Sequence, residues 1–76
     1  MEENGIRLMR DVSTAFYQGR IQDGLNGMEG MVGAALGMIG EDQRLVWFLD
    51  AVSARDYVLA ADIIEYEIIR TIGGNV

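Results

Sequence analysis

The sequence predicts an all-α protein: an antiparallel helical hairpin, its first arm kinked near Gly19, which pairs with a second copy into a four-helix-bundle-like homodimer. Three observations favour this fold. The 76 residues contain no proline, apolar side chains recur three and four residues apart, and no strand-like alternation occurs. We therefore expect a single helical domain over residues 1–76, with helices at about 3–18, 21–39 and 42–72.

The first helix carries an apolar stripe that ends close to a glycine. This stripe consists of Leu8, Val12, Ala15 and Phe16, with Ile6 and Met9 beside them. The spacing is then lost, because the next apolar residue after Tyr17 is Ile21. Gly19 lies in this gap, so the pattern predicts a kink or short break at Gly19 and Arg20.

The second helix has an apolar stripe on one side and glycines on the other. The stripe contains Ile21, Leu25, Met28, Val32, Ala35, Leu36 and Ile39, and the glycines are Gly30, Gly33, Gly37 and Gly40. Each glycine inside a helix costs roughly 1 kcal/mol relative to alanine. Such a face is useful where another backbone approaches closely. We expect Gly30, Gly33 and Gly37 to contact a helix of a second subunit; compositional drift or local fraying is the alternative.

The third helix follows a turn at residues 40–42, where a glycine precedes two acidic residues. Residues 42–72 contain neither glycine nor proline, which favours one long helix. The alternative is a break at residues 53–56, with Ser53 as the N-cap and Asp56 completing a capping box. Residues 73–76 form a short tail.

This last helix is apolar on two faces. One face carries Tyr57, Ala61, Ile64, Ile68 and Ile72, and the other carries Leu59, Ile63 and Tyr66. A helix that is apolar on two faces is buried on two faces. A chain this short buries only roughly 60–65% of its unfolded surface, and there is no cysteine for a disulfide. We expect Tyr57, Ile64 and Ile68 to contact a second subunit; the core of a monomer is the alternative.

Trp47 is the only tryptophan, and it lies away from the stripe of Leu45, Leu49 and Val52. An exposed tryptophan is typical of a binding hot spot, so Trp47 is a candidate partner contact. An equal alternative is that Trp47 covers the hairpin turn or the kink at Gly19.

The composition excludes most catalytic chemistry. Cysteine and histidine are both absent, which removes the commonest metal ligands and general bases. Asp56, Asp62, Glu65 and Glu67 favour a solvated strip, because di-iron bundles need histidine and glycosidases need a sugar cleft. We expect no enzymatic activity, no metal and no cofactor. A metal protein or enzyme that uses Asp62 and Glu65 is the remaining alternative.

The charge and the apolar runs exclude further partners. Six arginines are scattered among twelve acidic residues, and the net charge of −6 opposes nucleic-acid binding. The longest uncharged run, residues 30–40, is far below the ~20 apolar residues that span a bilayer. The acidic start of the chain is unlike a secretory signal. We expect neither nucleic acid nor membrane as a partner, and a cytoplasmic location.

One segment carries a resemblance: Asp56-Tyr57-Val58-Leu59-Ala60-Ala61-Asp62-Ile63-Ile64-Glu65-Tyr66-Glu67. It resembles a pattern near the C-terminus of short, uncharacterised bacterial all-helical proteins. The resemblance implies a small bacterial helical protein and transfers no functional residues. In size, acidity and helicity the chain is also similar to flagellar and secretion export chaperones, which hold a client segment in a groove.

The sequence thus predicts a non-enzymatic helical protein–protein interaction module that self-associates as a homodimer. The alternative is a small acidic client-binding chaperone or anti-activator that sequesters an amphipathic helix of another protein. Trp47, Met28, Met31 and Met38 would then line the binding surface.

Overall fold

A computed structural model describes residues 2–73, with side chains from residue 5 onwards. It contains four helices: α1 (Glu2–Tyr17), α2 (Ile21–Ile39), α3 (Gln43–Ser53) and α4 (residues 57–73). Helix α4 begins as an α-helix (Tyr57–Asp62), continues as a π-helix (Ile63–Ile68) and ends as an α-helix (Ile69–Gly73). No strand occurs between residues 2 and 73, and the predicted all-α class is confirmed.

Helices α1 and α2 form an antiparallel pair by themselves. Leu8, Val12 and Phe16 of α1 lie against Gly30, Gly27 and Gly24 of α2, in that reversed order. The chain reverses at residues 18–20, where Gly19 has a φ of +76° that glycine adopts without strain. The N–H of Gly19 bonds to the carbonyl of Phe16, and that of Arg20 to the carbonyl of Ala15, which is a Schellman motif. The kink predicted at Gly19 is therefore a complete turn.

The glycines of α2 do allow a close helix approach, but the partner is α1 of the same chain. A Cβ atom added to Gly27 would lie 3.0 Å from Cγ2 of Val12, and one added to Gly24 would collide with the Phe16 ring. Of the predicted glycine interface, Gly30 alone joins this contact, 3.1 Å from Cδ2 of Leu8. Gly33 and Gly37 have no atom within 4 Å of an added Cβ among the described residues.

The turn predicted at residues 40–42 is confirmed, but the single helix predicted over residues 42–72 is wrong. Helix α3 ends in a second Schellman motif: the N–H groups of Arg55 and Asp56 bond to the carbonyls of Val52 and Ala51. Arg55 has a φ of +61°. Because an arginine occupies the left-handed position that glycine usually fills, no glycine marks this helix end.

The alternative of a break at residues 53–56 is confirmed, although its cap differs from the prediction. Ser53 is the last residue of α3. The carboxylate of Asp56 caps α4 by accepting a hydrogen bond from the N–H of Leu59, at 3.1 Å. Asp56 is thus the N-cap itself and not the third residue of a capping box.

All four helices contribute to one buried apolar core. Its members are Met9, Val12, Phe16, Met31, Ala35, Leu45, Phe48, Ala51, Ala60, Ala61, Ile63, Ile64, Ile68 and Ile69. Ile64 and Ile68 have no exposed surface within the single chain, and Tyr57 stacks on Phe16 with ring centroids 5.3 Å apart. Ile64 and Ile68 therefore cannot contact a second subunit, and their predicted contact is corrected. Tyr57 is half-buried, so its contact with a second subunit stays a prediction. The turns at Gly19 and Arg55 give the chain enough helices to cover Ile64 and Ile68 itself.

Of the second predicted apolar face of the last helix, Ile63 is buried, whereas Leu59 and Tyr66 are exposed. The π-helical middle of α4 explains how Ile63 enters the same core as Ile64 and Ile68. Ile63, Ile64, Ile68 and Ile69 are all buried, a repeat of five residues. On an α-helix, positions five apart differ by about 140° and would face different directions. The wider π turn brings them together, and the N–H of Ile69 bonds to the carbonyl of Ile64 in the i→i+5 pattern.

Candidate functional site

A surface groove of about 500 Å³ lies between α3 and α4, and we call it the α3–α4 groove. Its apolar lining comes from Trp47, Ala51, Ala54, Leu59 and Ile63, and its polar lining from Asp50, Asp56 and Glu67. None of these lining residues, which all lie within the described part of the chain, is basic. The groove is therefore an apolar channel bordered by carboxylates.

The turn at Arg55 and two alanines create this groove. Trp47 and Ala51 of α3 and the C-cap residue Ala54 lie on one side at spacings of four and three residues, while Leu59 and Ile63 share one side of α4. Larger side chains at positions 51 and 54 would fill the space between the two helices. Without the break before α4, these two sets of residues would lie along a single rod.

Trp47 and Leu59 leave large apolar surfaces exposed in the groove. Trp47 is 47% exposed and Leu59 is 45% exposed, whereas Ile63 is only 8% exposed. Single exposed apolar residues are common on proteins. Trp47 and Leu59, however, line one concave surface together with Ile63. Neither interpretation of Trp47 is tested by this position, and its role as a partner contact stays a prediction.

The three groove carboxylates differ in their surroundings. Glu67 Oε1 lies 3.9 Å from Arg44 Nε, an atom that is buried and has no hydrogen-bond partner among the described residues. Asp56 is held by its capping bond to Leu59. Among residues 5–73, neither Asp50 nor Asp56 has a basic side chain within ion-pair distance. The groove therefore retains unbalanced negative charge.

Arg44 forms its closer ion pair with Asp42, which does not line the groove. Its Nη1 donates to both oxygens of Asp42, at 2.9 and 3.0 Å, and its backbone N–H donates to Asp42 at 2.8 Å. The backbone hydrogen bond, and then the Arg44 side-chain bond and charge, lower the pKa of Asp42. Asp42 is the N-cap of α3, so this cluster fixes the start of that helix and leaves Glu67 with a distant counter-charge.

The carboxylates of Asp62 and Glu65 face α1 and do not line the groove. Ser13, which is fully buried, donates to Glu65 at 2.5 Å, and the Tyr17 hydroxyl donates to Asp62. Burial, and then the hydrogen bond to Asp62 and its charge, raise the pKa of Tyr17 above its usual value near 10. These two residues therefore join α1 to α4, where the sequence favoured a solvated strip.

Ser13 and Tyr17 were not predicted as partners of these carboxylates. A signal for Ser13 was present, because it lies at helical spacing from Met9 and Phe16 on the buried face of α1. A buried hydroxyl needs a hydrogen-bond partner. Within the described residues, no group of three or more carboxylates is arranged to hold a metal ion.

A second open surface lies on α2. Gly33 and Gly37 share one side of α2, and neither has an atom within 4 Å of an added Cβ in the described part of the chain. Leu36, at the edge of the apolar stripe, lies next to this side and is 43% exposed. We call this surface the Gly33–Gly37 face. Gly30, the third glycine of the predicted interface, packs on Leu8 instead.

Comparisons with protein-family models, with curated proteins and with solved structures find no match to this chain. Within residues 2–73, none of the helices combines the length and the apolar character needed to cross a membrane. The fold and the site define the chain as a small all-α bundle with an acidic-edged apolar groove.

Proposed function

We propose that this chain is a non-enzymatic helical interaction module that binds a segment of another protein in the α3–α4 groove. The observation that carries the proposal is the exposed Trp47 side chain, which lines a concave surface with Leu59 and Ile63. Tryptophan is among the residues most enriched at binding hot spots.

The side chains of the groove support binding over catalysis. Its polar residues are three carboxylates, and the chain contains neither histidine nor cysteine. Acyl or phosphoryl transfer needs a nucleophile beside a base, or a cationic group that stabilises developing negative charge. The groove lining provides no serine, threonine, lysine or arginine for these roles, as far as residues 2–73 are concerned.

Affinity capture with matched variants tests this proposal. Wild-type protein, Trp47→Ala and Val46→Ala are immobilised and exposed to an extract of the source cells, and bound proteins are quantified by mass spectrometry. Val46 is a suited control, because it is 47% exposed on the same helix but does not line the groove. We expect one protein to be retained stoichiometrically by wild type and by Val46→Ala, and lost from Trp47→Ala. Equal retention by all three would reject the groove as the binding surface.

Self-association as a homodimer is a second candidate, and the Gly33–Gly37 face supports it. Each of these glycines costs roughly 1 kcal/mol of helix stability, and neither is used for packing within the described residues. A second copy of α2 could approach closely there.

Sedimentation equilibrium of wild type, Gly33→Leu and Gly37→Leu tests this second candidate. We expect a dimer for wild type and a monomer for both variants. A wild-type monomer throughout the micromolar range would reject self-association through α2.

A further inference from the structure

The charge around the α3–α4 groove indicates the chemistry of its occupant. Asp50, Asp56 and Glu67 line the groove together with its apolar residues. Arg44 lies 3.9 Å from Glu67 and binds Asp42 more closely. Arg55, which stands between Ala54 and Asp56 in the sequence, neither lines the groove nor lies within ion-pair distance of a carboxylate among the described residues. The whole chain carries a net charge of −6. An occupant with basic side chains beside Asp50 and Asp56 would gain attraction, and an acidic one would be repelled.

The shape of the groove indicates the conformation of the occupant. The lining residues of α3 and α4 cover about two helical turns, roughly 11 Å at 5.4 Å per turn. An extended peptide binds well where a sheet edge supplies backbone partners. Both walls are helices whose interior backbone groups are already bonded within the helix. A helical occupant bonds its own backbone and needs only side-chain contacts.

From these observations we infer that the α3–α4 groove binds a cationic amphipathic helix of another protein. Its apolar side chains rest on Trp47, Leu59 and Ile63, and its lysines or arginines lie beside Asp50 and Asp56. This inference rests on the proposed function of the groove and adds the chemical class of the partner. A second copy of this chain fits less well, because it brings the same net charge of −6.

Trp47 is a built-in probe for the test, because it is the only tryptophan of the chain and lines the groove. Two synthetic amphipathic helices without aromatic residues are titrated into the protein. Both carry leucine on the apolar face, and the polar face carries lysine in one and glutamate in the other. We expect the lysine peptide to shift the emission of Trp47 to shorter wavelength in a saturable manner. The glutamate peptide should bind at least about tenfold more weakly, and added salt should weaken the lysine peptide.

A charge-removing variant makes the test specific to the groove. Asp50→Asn combined with Asp56→Asn removes two charges, and asparagine at position 56 still caps α4. We expect the affinity for the lysine peptide to fall by up to about fivefold for each carboxylate removed, as for exposed ion pairs. The matched control is Glu29→Gln combined with Glu41→Gln, two exposed residues outside the groove that should leave the affinity unchanged.

The outcomes separate this inference from the proposed function. If both peptides bind equally and Ala54→Phe, which fills the groove, abolishes both, the groove binds helices but the cationic preference is overturned. If neither peptide changes the emission of Trp47, both the inference and the binding role of the groove are overturned. If the emission changes with protein concentration alone, a second copy occupies the groove and the inference is overturned.

Discussion

Replacing Arg55 with glycine is expected to stabilise this protein. Arg55 has a φ of +61°, a left-handed conformation that costs an L-residue roughly 1–2 kcal/mol. Glycine removes this strain, but it also raises the entropy of the unfolded chain by roughly 0.5–1 kcal/mol. The net expected gain is about 0.5–1 kcal/mol in the free energy of unfolding. For a domain of this size, such a gain raises the Tm by roughly 2–8 °C.

The assay is urea unfolding followed by Trp47 fluorescence, with the Tm measured by circular dichroism. Arg55→Ala is the matched control: it removes the side chain but keeps the Cβ atom, so it should remain within about 0.5 kcal/mol of wild type. Gly19→Ala is the reverse experiment at the first turn, where φ is +76°, and it should lose about 1 kcal/mol or more. If Arg55→Gly is no more stable than Arg55→Ala, the backbone of Arg55 does not limit stability and the reasoning is refuted.

Three further predictions concern packing and titration. Gly24→Ala should lose about 1–3 kcal/mol, because its Cβ would collide with an α1 ring. Gly33→Ala should gain up to about 1 kcal/mol at protein concentrations low enough for a monomer, because an added Cβ meets no atom of the described chain; thermal melts compare the two. The pKa of Tyr17 is raised in the folded protein, so its neutral, hydrogen-bonded form contributes to stability. This contribution is fully present below pH 10 and is lost as the pH rises through the raised pKa. Tyr17→Phe should therefore flatten the alkaline part of a stability–pH curve. The ionised Asp42 carboxylate stabilises the fold, which lowers its pKa below the ordinary value of 3.8. This contribution is fully present above pH 3.8 and is lost as the pH falls through the lowered pKa. Asp42→Asn should therefore flatten the acid part of the stability–pH curve.

Each of these expectations has its own contradictory result. Equal melting temperatures for the two glycine variants would contradict the close packing of α1 on α2. An alkaline transition that persists in Tyr17→Phe would show that another group carries it. An unchanged acid transition in Asp42→Asn would remove the α3 cap as a source of acid sensitivity.

The sequence predicted the helical class and the turn at residues 40–42, where glycine marks a helix end. Gly19 was predicted as a kink or short break within one arm, whereas the chain makes a complete turn there. The turn at Arg55 was predicted only as the alternative to one long helix. Its left-handed residue is an arginine and not a glycine, so the acidic residue Asp56 was the only sequence signal for it. Together, these two errors had a large consequence. The prediction had two hairpin arms, whereas the structure has four helices. Two arms are too few to bury Ile64 and Ile68, so the prediction placed a second subunit against them.

The glycines of α2 and the α3–α4 groove show what helical spacing in a sequence cannot predict. Helical spacing correctly placed Gly33 and Gly37 on one face, but spacing alone does not say which face a neighbouring helix covers. Gly24 and Gly27 meet α1, because the hairpin turn directs that side of α2 towards it. Trp47 was predicted as a partner contact from its position away from the apolar stripe. The groove beside it could not be predicted, because it depends on the turn at Arg55.

The repeated isoleucines of α4 contained information that went unused. Ile63 and Ile64 recur as Ile68 and Ile69, a spacing of five that fits a π-helix. An α-helical wheel separates these residues into two faces and so predicts two buried sides. A five-residue repeat places them on one side, which is the arrangement observed.

The Schellman turn at Gly19 also bears on how quickly the chain reaches its fold. It joins α1 and α2 through a short loop, so their contacts form with little loss of loop-closure entropy. The bonds from Ser13 to Glu65 and from Tyr17 to Asp62 instead join residues 52 and 45 positions apart. We therefore expect the α1–α2 hairpin to be largely formed in the transition state for folding, with α4 docking later. Mutations in the hairpin should then slow folding, while mutations in the α1–α4 bonds should mainly speed unfolding.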